Sequence, residues 1–302
     1  RTARRFHPDQ IRQKVRYSLR KTMAENGRMI MPPDPAPDPS PVVLAVRVPM
    51  HSTIREGFIH FPGHSRKYED IAMWRDLRHG RLWNIRLNSF EYLLSPDVGV
   101  SEGMRLIHDF IHSSAGNPTL FDSYCVSQRL MNWITFFSTH EPEDAVANGF
   151  LWKQAHYLSQ NPEYHLRNNH LFDNAFALIR AGFYFGEEKY FQAGQRILIE
   201  EINRQILPDG AHFELCPMYH CIVLWRMLET IDLLRHIRYD YGPLRTLLHD
   251  TSSRMLGWIS AIEFGNGELP NLNDSADNGS PPLAALRDYA HELKIKIGRA
   301  HV

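Results

Sequence analysis

Hydrophobic residues recur at three- and four-residue steps through most of the chain beyond residue 100, which is the spacing of amphipathic helices. The pattern predicts eight successive helices joined by short links, over residues 101–114, 125–139, 144–160, 168–185, 188–206, 218–238, 243–262 and 282–294. Short links imply antiparallel neighbours, so we expect a helical bundle, a solenoid or an α/α toroid. The lack of a fixed-period repeat disfavours the solenoid. Residues 168–185 and 218–238 are apolar over much of their circumference and are expected to be inner helices.

The first hundred residues have a less regular pattern. Residues 1–30 are basic and compatible with a helix, whereas the proline-rich linker at 31–41 cannot continue one. Runs of β-branched residues within 42–62 predict one or two short strands. We therefore expect three parts: a basic segment with its linker at 1–41, an irregular region at 42–100 and a helical catalytic domain at 101–296.

Both ends of the chain need separate treatment. The first residue is Arg1 rather than Met, so we expect that an upstream segment, such as a secretory signal, is missing. Residues 297–302, with the sequence IGRAHV, match the translation of a common sequencing adapter. We expect this stretch to be an artificial tail and exclude it from reasoning about the fold.

Composition and charge narrow the function classes only slightly. The 302 residues are 43% hydrophobic and 23% charged, as in ordinary packed proteins. Because 34 Lys and Arg balance 34 Asp and Glu, the overall charge does not favour a nucleic acid or an anionic lipid. Three cysteines, none in a C-x-x-C pair, predict neither a disulfide framework nor a zinc site. No apolar run is long enough to predict a transmembrane helix, so we expect no membrane insertion.

A polar stretch, RNNHLFD at 167–173, lies where a helix is predicted to begin. The free N–H groups and the positive dipole end of a helix start are suited to receiving a carboxylate. The simpler interpretation is that Asn168 or Asn169 caps the helix while His170 is an interior histidine. Asp173 could orient the ring of His170, or it could stabilise the helix dipole as an acid in the first turn.

A second stretch, PDGAHFELCPMYH at 208–220, is an irregular loop that places Tyr219 and His220 at the start of an apolar helix. Loops that carry this many titratable groups often form sites. The simpler interpretation is aromatic packing at the helix start beside a surface histidine. Metal binding is not expected, because no H-E-x-x-H motif is present and His165 lies five residues from His170, off a shared helical face.

Together the two stretches resemble the heparinase II/III-type polysaccharide lyases. That family carries an Asn-His pair followed about fifty residues later by a catalytic Tyr, and Asn169-His170 and CPMYH at 216–220 fit this arrangement. Further similarity comes from WNIRLNSFEYL at 83–93, YCVSQRLMNW at 124–133 and QILPDGAHFE at 205–214. The resemblance spans about residues 70–280 and implies a mainly α fold, an α/α toroid or incomplete helical barrel with a short irregular N-terminal region.

The resemblance implies β-elimination on a polysaccharide that contains uronic acid, with no cofactor. Asn169 and His170 would bind the uronate carboxylate and stabilise the charge that develops when the C5 proton leaves. Tyr219 would be the Brønsted group that takes this proton or gives one to the departing O4. His212 and His220 are expected to assist, because a free phenol has a pKa of about 10 and needs nearby cations to act as a base.

Further substrate contacts are expected from side chains that suit acidic sugars. These are Arg129, Asn132, Trp133, Asn168, Asp173, His212, Glu214 and His220. A place in the core is equally compatible with the helical spacing of Trp133. The family continues into a β-sandwich domain that supplies a further His or Tyr, and we expect this chain to stop before that domain. One acidic position of the junction motif is occupied by Ala276.

Two other functions remain open on the sequence. A glycoside hydrolase on an α/α toroid would pair Asp209 or Glu214 with Asp274 or Asp277. A helical scaffold that binds carbohydrate without turnover is the second alternative. The expected partner is an acidic polysaccharide or oligosaccharide rather than a nucleic acid, with heparan, chondroitin, alginate and other exopolysaccharides all open. The resemblance implies a location in the periplasm or cell envelope.

Overall fold

The computed structural model describes residues 8–26, 35–49, 51–117, 119–236 and 241–298. Its helices are α1 Pro8–Glu25, α2 Arg81–Ser89, α3 Val100–His112, α4 Ser123–His140, α5 Ala145–Gln160, α6 Asn169–Tyr184, α7 Glu188–Gln205, α8 Pro217–Arg235, α9 Gly242–Ile262 and α10 Leu283–Glu292. The eight helices predicted beyond residue 100 correspond to α3 to α10, so the mainly α class is confirmed. The sequence pattern did not predict α2.

The helices beyond residue 100 pack in two rows. In the inner row α4 packs against α6, α6 against α8, and α8 against α10. In the outer row α3 packs against α5, α5 against α7, and α7 against α9. This alternation of inner and outer helices is the arrangement of an incomplete α/α toroid. The predicted inner helices are α6 and α8, and both are buried over most of their length.

Polar caps and a proline begin the inner and outer helices where the sequence predicted. The Asp122 side chain accepts a hydrogen bond from the backbone N–H of Cys125 at the start of α4, and Asp144 caps α5 in the same way. Pro217 occupies the first turn of α8, where its missing N–H removes no helical hydrogen bond. These signals end the links sharply and bring the starts of α6 and α8 to defined positions.

A small antiparallel sheet precedes the helical rows. Its strands are β1 Thr53–Arg55, β2 Phe58–Phe61 and β3 His64–Lys67, with the order β1-β2-β3. The sequence predicted one or two strands within 42–62, and the third strand lies outside that range. Phe61 packs edge-on against Trp83 of α2 at 4.8 Å between ring centroids, which fixes the sheet to the helical part of the chain.

Parts of three sequence-based assignments fall outside the described residues. These are the two ends of the basic segment at 1–7 and 27–30, the start of the proline-rich linker at 31–34, and the end of the suspected tail at 299–302. The described remainder of the linker, 35–41, forms neither helix nor strand. Among the described helices, none combines the length and the apolar character that crossing a membrane requires.

Candidate active site

A groove of about 400 Å³ opens where α6 and α8 begin, a volume within the range of about 300–1,000 Å³ typical of ligand sites. Its other walls are α2, the segment before β1, and the segment that precedes α10. The side chains that give it chemical character are His51, Ser52, Arg86, Ser89, Glu91, Tyr124, Gln128, Asn169, His170, Asp173, Tyr219, Arg226, Asp274, Asn278 and Ser280.

The groove brings together the three residues that the sequence singled out for catalysis. Asn169 and His170 lie in the first turn of α6, and Tyr219 lies in the first turn of α8. Because α6 and α8 pack side by side and both begin here, two positive helix ends are directed towards the same space. This arrangement favours an anionic group on the ligand.

His170 is held between an acid and an aromatic ring. Its Nδ1 lies 3.6 Å from Oε2 of Glu163, and its ring stacks on Tyr124 with 4.5 Å between centroids. Burial alone would lower the pKa of His170, but Glu163 and the charge of Asp173 outweigh burial and raise it. The two acids therefore favour the imidazolium form of His170 more than water does, and that form carries positive charge at the groove.

Asp173 is a buried carboxyl that lines the groove, with only 2% of the residue exposed. Burial raises its pKa from 3.8 to about 6. The positive charges of Arg226 and His170 and a hydrogen bond with Gln128 oppose this rise and make it smaller. The carboxyl therefore changes charge close to neutral pH. Such perturbed groups in a cleft are typical of functional sites.

Arg226 is the principal groove residue that the sequence analysis missed. It is 2% exposed, its guanidinium lies over the ring of Trp225 at 3.7 Å, and its Nη1 donates to Oε2 of Glu229 at 2.8 Å. Glu229 also accepts from Arg180 at 2.6 Å, so two guanidinium groups share one carboxylate. The cluster carries excess positive charge beside the groove. Arg226 lies seven residues after Tyr219, on the same helical face, and that spacing could have revealed it.

Tyr219 lies in an environment that keeps it protonated. Burial and the negative charge of Asp274 raise the pKa of its phenol. The prediction that His212 and His220 act as cations beside Tyr219 is wrong. Burial lowers the pKa of His212 to about 4 and that of His220 to about 3, so both rings are neutral at neutral pH. His220 donates from Nε2 to the carbonyl of Met255 at 3.0 Å, as a neutral ring does. Tyr219 is thus a proton donor without a cationic neighbour among these histidines.

The segment before α10 holds the start of α8 in place. Asn273 donates from its side chain to the carbonyl oxygen of Glu214 at 3.0 Å, in the loop that leads to α8. Ser275 Oγ accepts a hydrogen bond from the backbone N–H of Met218 at 3.2 Å. Residues more than fifty positions later therefore fix the backbone beside Tyr219.

Three of the expected substrate-binding residues belong to the core instead. Arg129 is 1% exposed, and it donates to Oε1 of Gln154 at 2.7 Å and to nearby backbone carbonyls. Asn132 donates to the carbonyl of Ser89 at 2.8 Å, and Trp133 is fully buried among aromatic rings. The structure corrects these assignments, because each side chain has its polar or apolar partners inside the protein.

Of the remaining expected contacts, Asp173 lines the groove, whereas Asn168, His212, Glu214 and His220 do not. The Asn168 side chain accepts a hydrogen bond from the N–H of His170 at 3.2 Å, which confirms the helix cap of the simpler interpretation. Glu214 has its Oε2 3.8 Å from Nδ1 of His212 and does not itself line the groove. His212 and His220 are fully buried. Among the described residues, no group of His, Cys, Asp and Glu side chains is arranged to hold a metal ion.

Comparisons with known proteins show which family the chain is similar to. Residues 120–293, more than half of the chain, match the family model for the heparinase II/III N-terminus. A heparin-sulfate lyase of Bacteroides stercoris is 27% identical over 181 residues, which cover 56% of this chain and 26% of that protein. A heparin-sulfate lyase of Pedobacter heparinus is 27% identical over 161 residues, covering 50% and 24%.

A solved structure, that of the heparan sulfate lyase HepC from Pedobacter heparinus, is similar with a TM-score of 0.48 and 18% identity. The likeness covers 85% of this chain and 45% of that one. The chain spans about a quarter of the length of the two heparin-sulfate lyases that it matches.

Proposed function

The chain belongs to the heparinase II/III family, and on that premise we propose that it is the helical part of a lyase that cleaves uronic-acid polysaccharides by β-elimination. The observation that carries the proposal is that Asn169, His170 and Tyr219 line one groove although Tyr219 lies about fifty residues after the other two. Heparan sulfate is the first substrate to test, because the two relatives are named heparin-sulfate lyases.

The first step of the elimination is removal of the C5 proton, which is weakly acidic while the neighbouring carboxylate is ionised. Loss of this proton places a second negative charge on the carboxylate oxygens. The Asn169 amide and the His170 imidazolium can donate hydrogen bonds to these oxygens. The cluster in which Arg226 and Arg180 share the carboxylate of Glu229 adds positive potential nearby. These groups favour the transition state because their charge is in place before the reaction begins.

The second step is departure of O4, which needs a proton. The phenol of Tyr219 is protonated and half-exposed at the groove, so it is suited to donate this proton. Taking the C5 proton instead would require the phenolate, which burial and Asp274 disfavour. The geometry therefore supports Tyr219 as the general acid. The C5 proton then passes to a second Brønsted group, for which we propose the further His or Tyr that the β-sandwich domain of the family supplies to the cleft.

The hydrolase alternative has weaker support. Of the four carboxylates that it could pair, Asp274 lines the groove while Asp209, Glu214 and Asp277 do not. A hydrolase needs two carboxylates on opposite sides of one bond.

We also propose a periplasmic or cell-envelope location for the protein. The division of the chain at residue 100 stays a proposal, although residues from both sides of that division line the groove.

The test is ultraviolet absorbance of the product on heparan sulfate, chondroitin sulfate and alginate, together with reducing-end formation. Elimination leaves a C4–C5 double bond conjugated to the carboxylate, which absorbs, and hydrolysis leaves none. Tyr219→Phe should lower kcat by about 100- to 10,000-fold, the usual contribution of a general acid. Tyr184→Phe is the control, because it removes a hydroxyl that bonds Asn148 away from the groove. New reducing ends without absorbance, or an active Tyr219→Phe variant, would contradict the proposal.

A further inference from the structure

A second cavity of about 410 Å³ lies between α1, the end of α5 and α7. We call it the arginine cleft, because Arg16 and Arg20 of α1 and Arg196 of α7 line it. No described residue lines both this cleft and the groove. The segment that joins α5 to α6 separates them: its first residues line the cleft and its end leads to Asn169 and His170.

The lining of the arginine cleft carries positive charge. Of the described residues that line it, three are arginines and none is acidic. Arg16 and Arg196 are exposed. Burial and the neighbouring charge of Arg16 lower the pKa of Arg20, as expected where two guanidinium groups lie close together. Because the chain as a whole has no net charge, this concentration of cations is local.

The walls of the cleft are anchored to the rest of the protein. The hydroxyl of Tyr17 in α1 accepts a hydrogen bond from the N–H of Ser123 at 3.2 Å. The Tyr17 ring packs on His165 with 4.5 Å between centroids, and Arg20 donates to the carbonyl of Gln160. The arginines are therefore presented by a docked helix, and an anion between them would relieve their mutual repulsion.

The chemistry of the lining suits a sugar polymer. Guanidinium groups bind sulfate and carboxylate in a two-pronged geometry, and the ring of Tyr164 in the same cleft offers a face for a pyranose ring. We propose that the arginine cleft is a second binding site for the acidic polysaccharide, separate from the groove. The choice of this ligand rests on the proposed function, since a polymer cut at the groove is long enough to contact other surfaces.

The test measures binding rather than cleavage, using the full chain with the Tyr219→Phe change so that the polymer survives. Long heparan sulfate chains and a heparan sulfate tetrasaccharide are compared by surface plasmon resonance. Adding Arg16→Ala and Arg196→Ala should weaken binding of the long chains about tenfold, the order expected for two lost charge-assisted contacts. Arg16→Lys with Arg196→Lys should restore part of this loss. Lysine keeps the positive charge but cannot donate the two parallel hydrogen bonds of a guanidinium group.

The matched control is Arg66→Ala with Lys153→Ala, which removes two positive charges from exposed positions outside the cleft. This control should change the affinity for the long chains by less than about twofold, because a solvent-exposed charge outside a binding site contributes little binding free energy. Equal binding by the Arg16 and Arg196 variant and its parent would overturn the second site, as would equal losses in the control. Tighter binding of single-stranded DNA than of heparan sulfate would assign the cleft to nucleic acid instead. Failure of the ultraviolet assay concerns the proposed function alone, because these measurements need no turnover.

Discussion

Asp173 gives the sharpest test of how the groove is built. Its pKa is raised from 3.8 to about 6 because the carboxyl is buried. The folded protein therefore holds this proton more tightly than the unfolded chain does. As pH rises from 3.8 to about 6, the free energy of unfolding falls, because the folded state must then bury the charged carboxylate of Asp173. Asp173→Asn removes the titration while keeping nearly the same shape.

The magnitude follows from the two pKa values. One pKa unit corresponds to roughly 1.4 kcal/mol, so the full penalty at neutral pH is about 3 kcal/mol. About 2 kcal/mol of it develops between about pH 4.5 and pH 7.5, where the protein can be studied folded. The stability of Asp173→Asn relative to its parent should rise by that amount across this interval.

Urea unfolding followed by circular dichroism at both pH values measures the change. The control is Asp288→Asn, which removes a carboxylate from an exposed position of α10. A relative stability of Asp173→Asn that stays constant with pH, or that falls as pH rises, would refute the reasoning. A confirmed rise would show that the groove retains a charge at the expense of stability, as expected of a functional site.

Two further predictions concern the starts of α6 and α8. Glu163→Gln removes the charge that favours imidazolium at His170, so the fall of kcat/KM with rising pH should begin at lower pH than in the parent; an unchanged pH profile would contradict this role. Gly210 has φ +98°, and an added Cβ would lie 2.3 Å from the carbonyl oxygen of Arg254, so Gly210→Ala should lower the free energy of unfolding by more than about 1 kcal/mol. Gly149→Ala, within α5 and with open space around it, should instead raise that free energy by up to about 1 kcal/mol.

Periodicity predicted the helices because each has a buried face and a clear boundary. The predicted segment 168–185 and the observed α6 Asn169–Tyr184 agree within one residue at each end, since Asn168 caps the helix and Gly186 follows it. The N-terminal region was harder to predict. Its strands have three or four residues, and α2 is a nine-residue helix, so neither is long enough to establish a period.

Sequence reasoning identified groove-lining residues that lie at helix starts and missed those that lie inside a buried helix. α4 is buried around most of its circumference, so its sequence does not distinguish the groove side from the core side. Gln128 lines the groove while the adjacent Arg129 lies in the core. Likewise Glu163 contacts His170 across a loop, and no spacing along the chain reveals that contact.

The bonds that Asn273 and Ser275 make to the approach of α8 have a consequence for biosynthesis. Tyr219 leaves the ribosome long before these two residues do, so the backbone beside it cannot be held by these bonds until a later part of the polypeptide has emerged. The contacts among α4, α6 and α8 can form earlier, because they need no residue beyond α8. The groove wall at the start of α8 is therefore completed later than the packing of α4, α6 and α8.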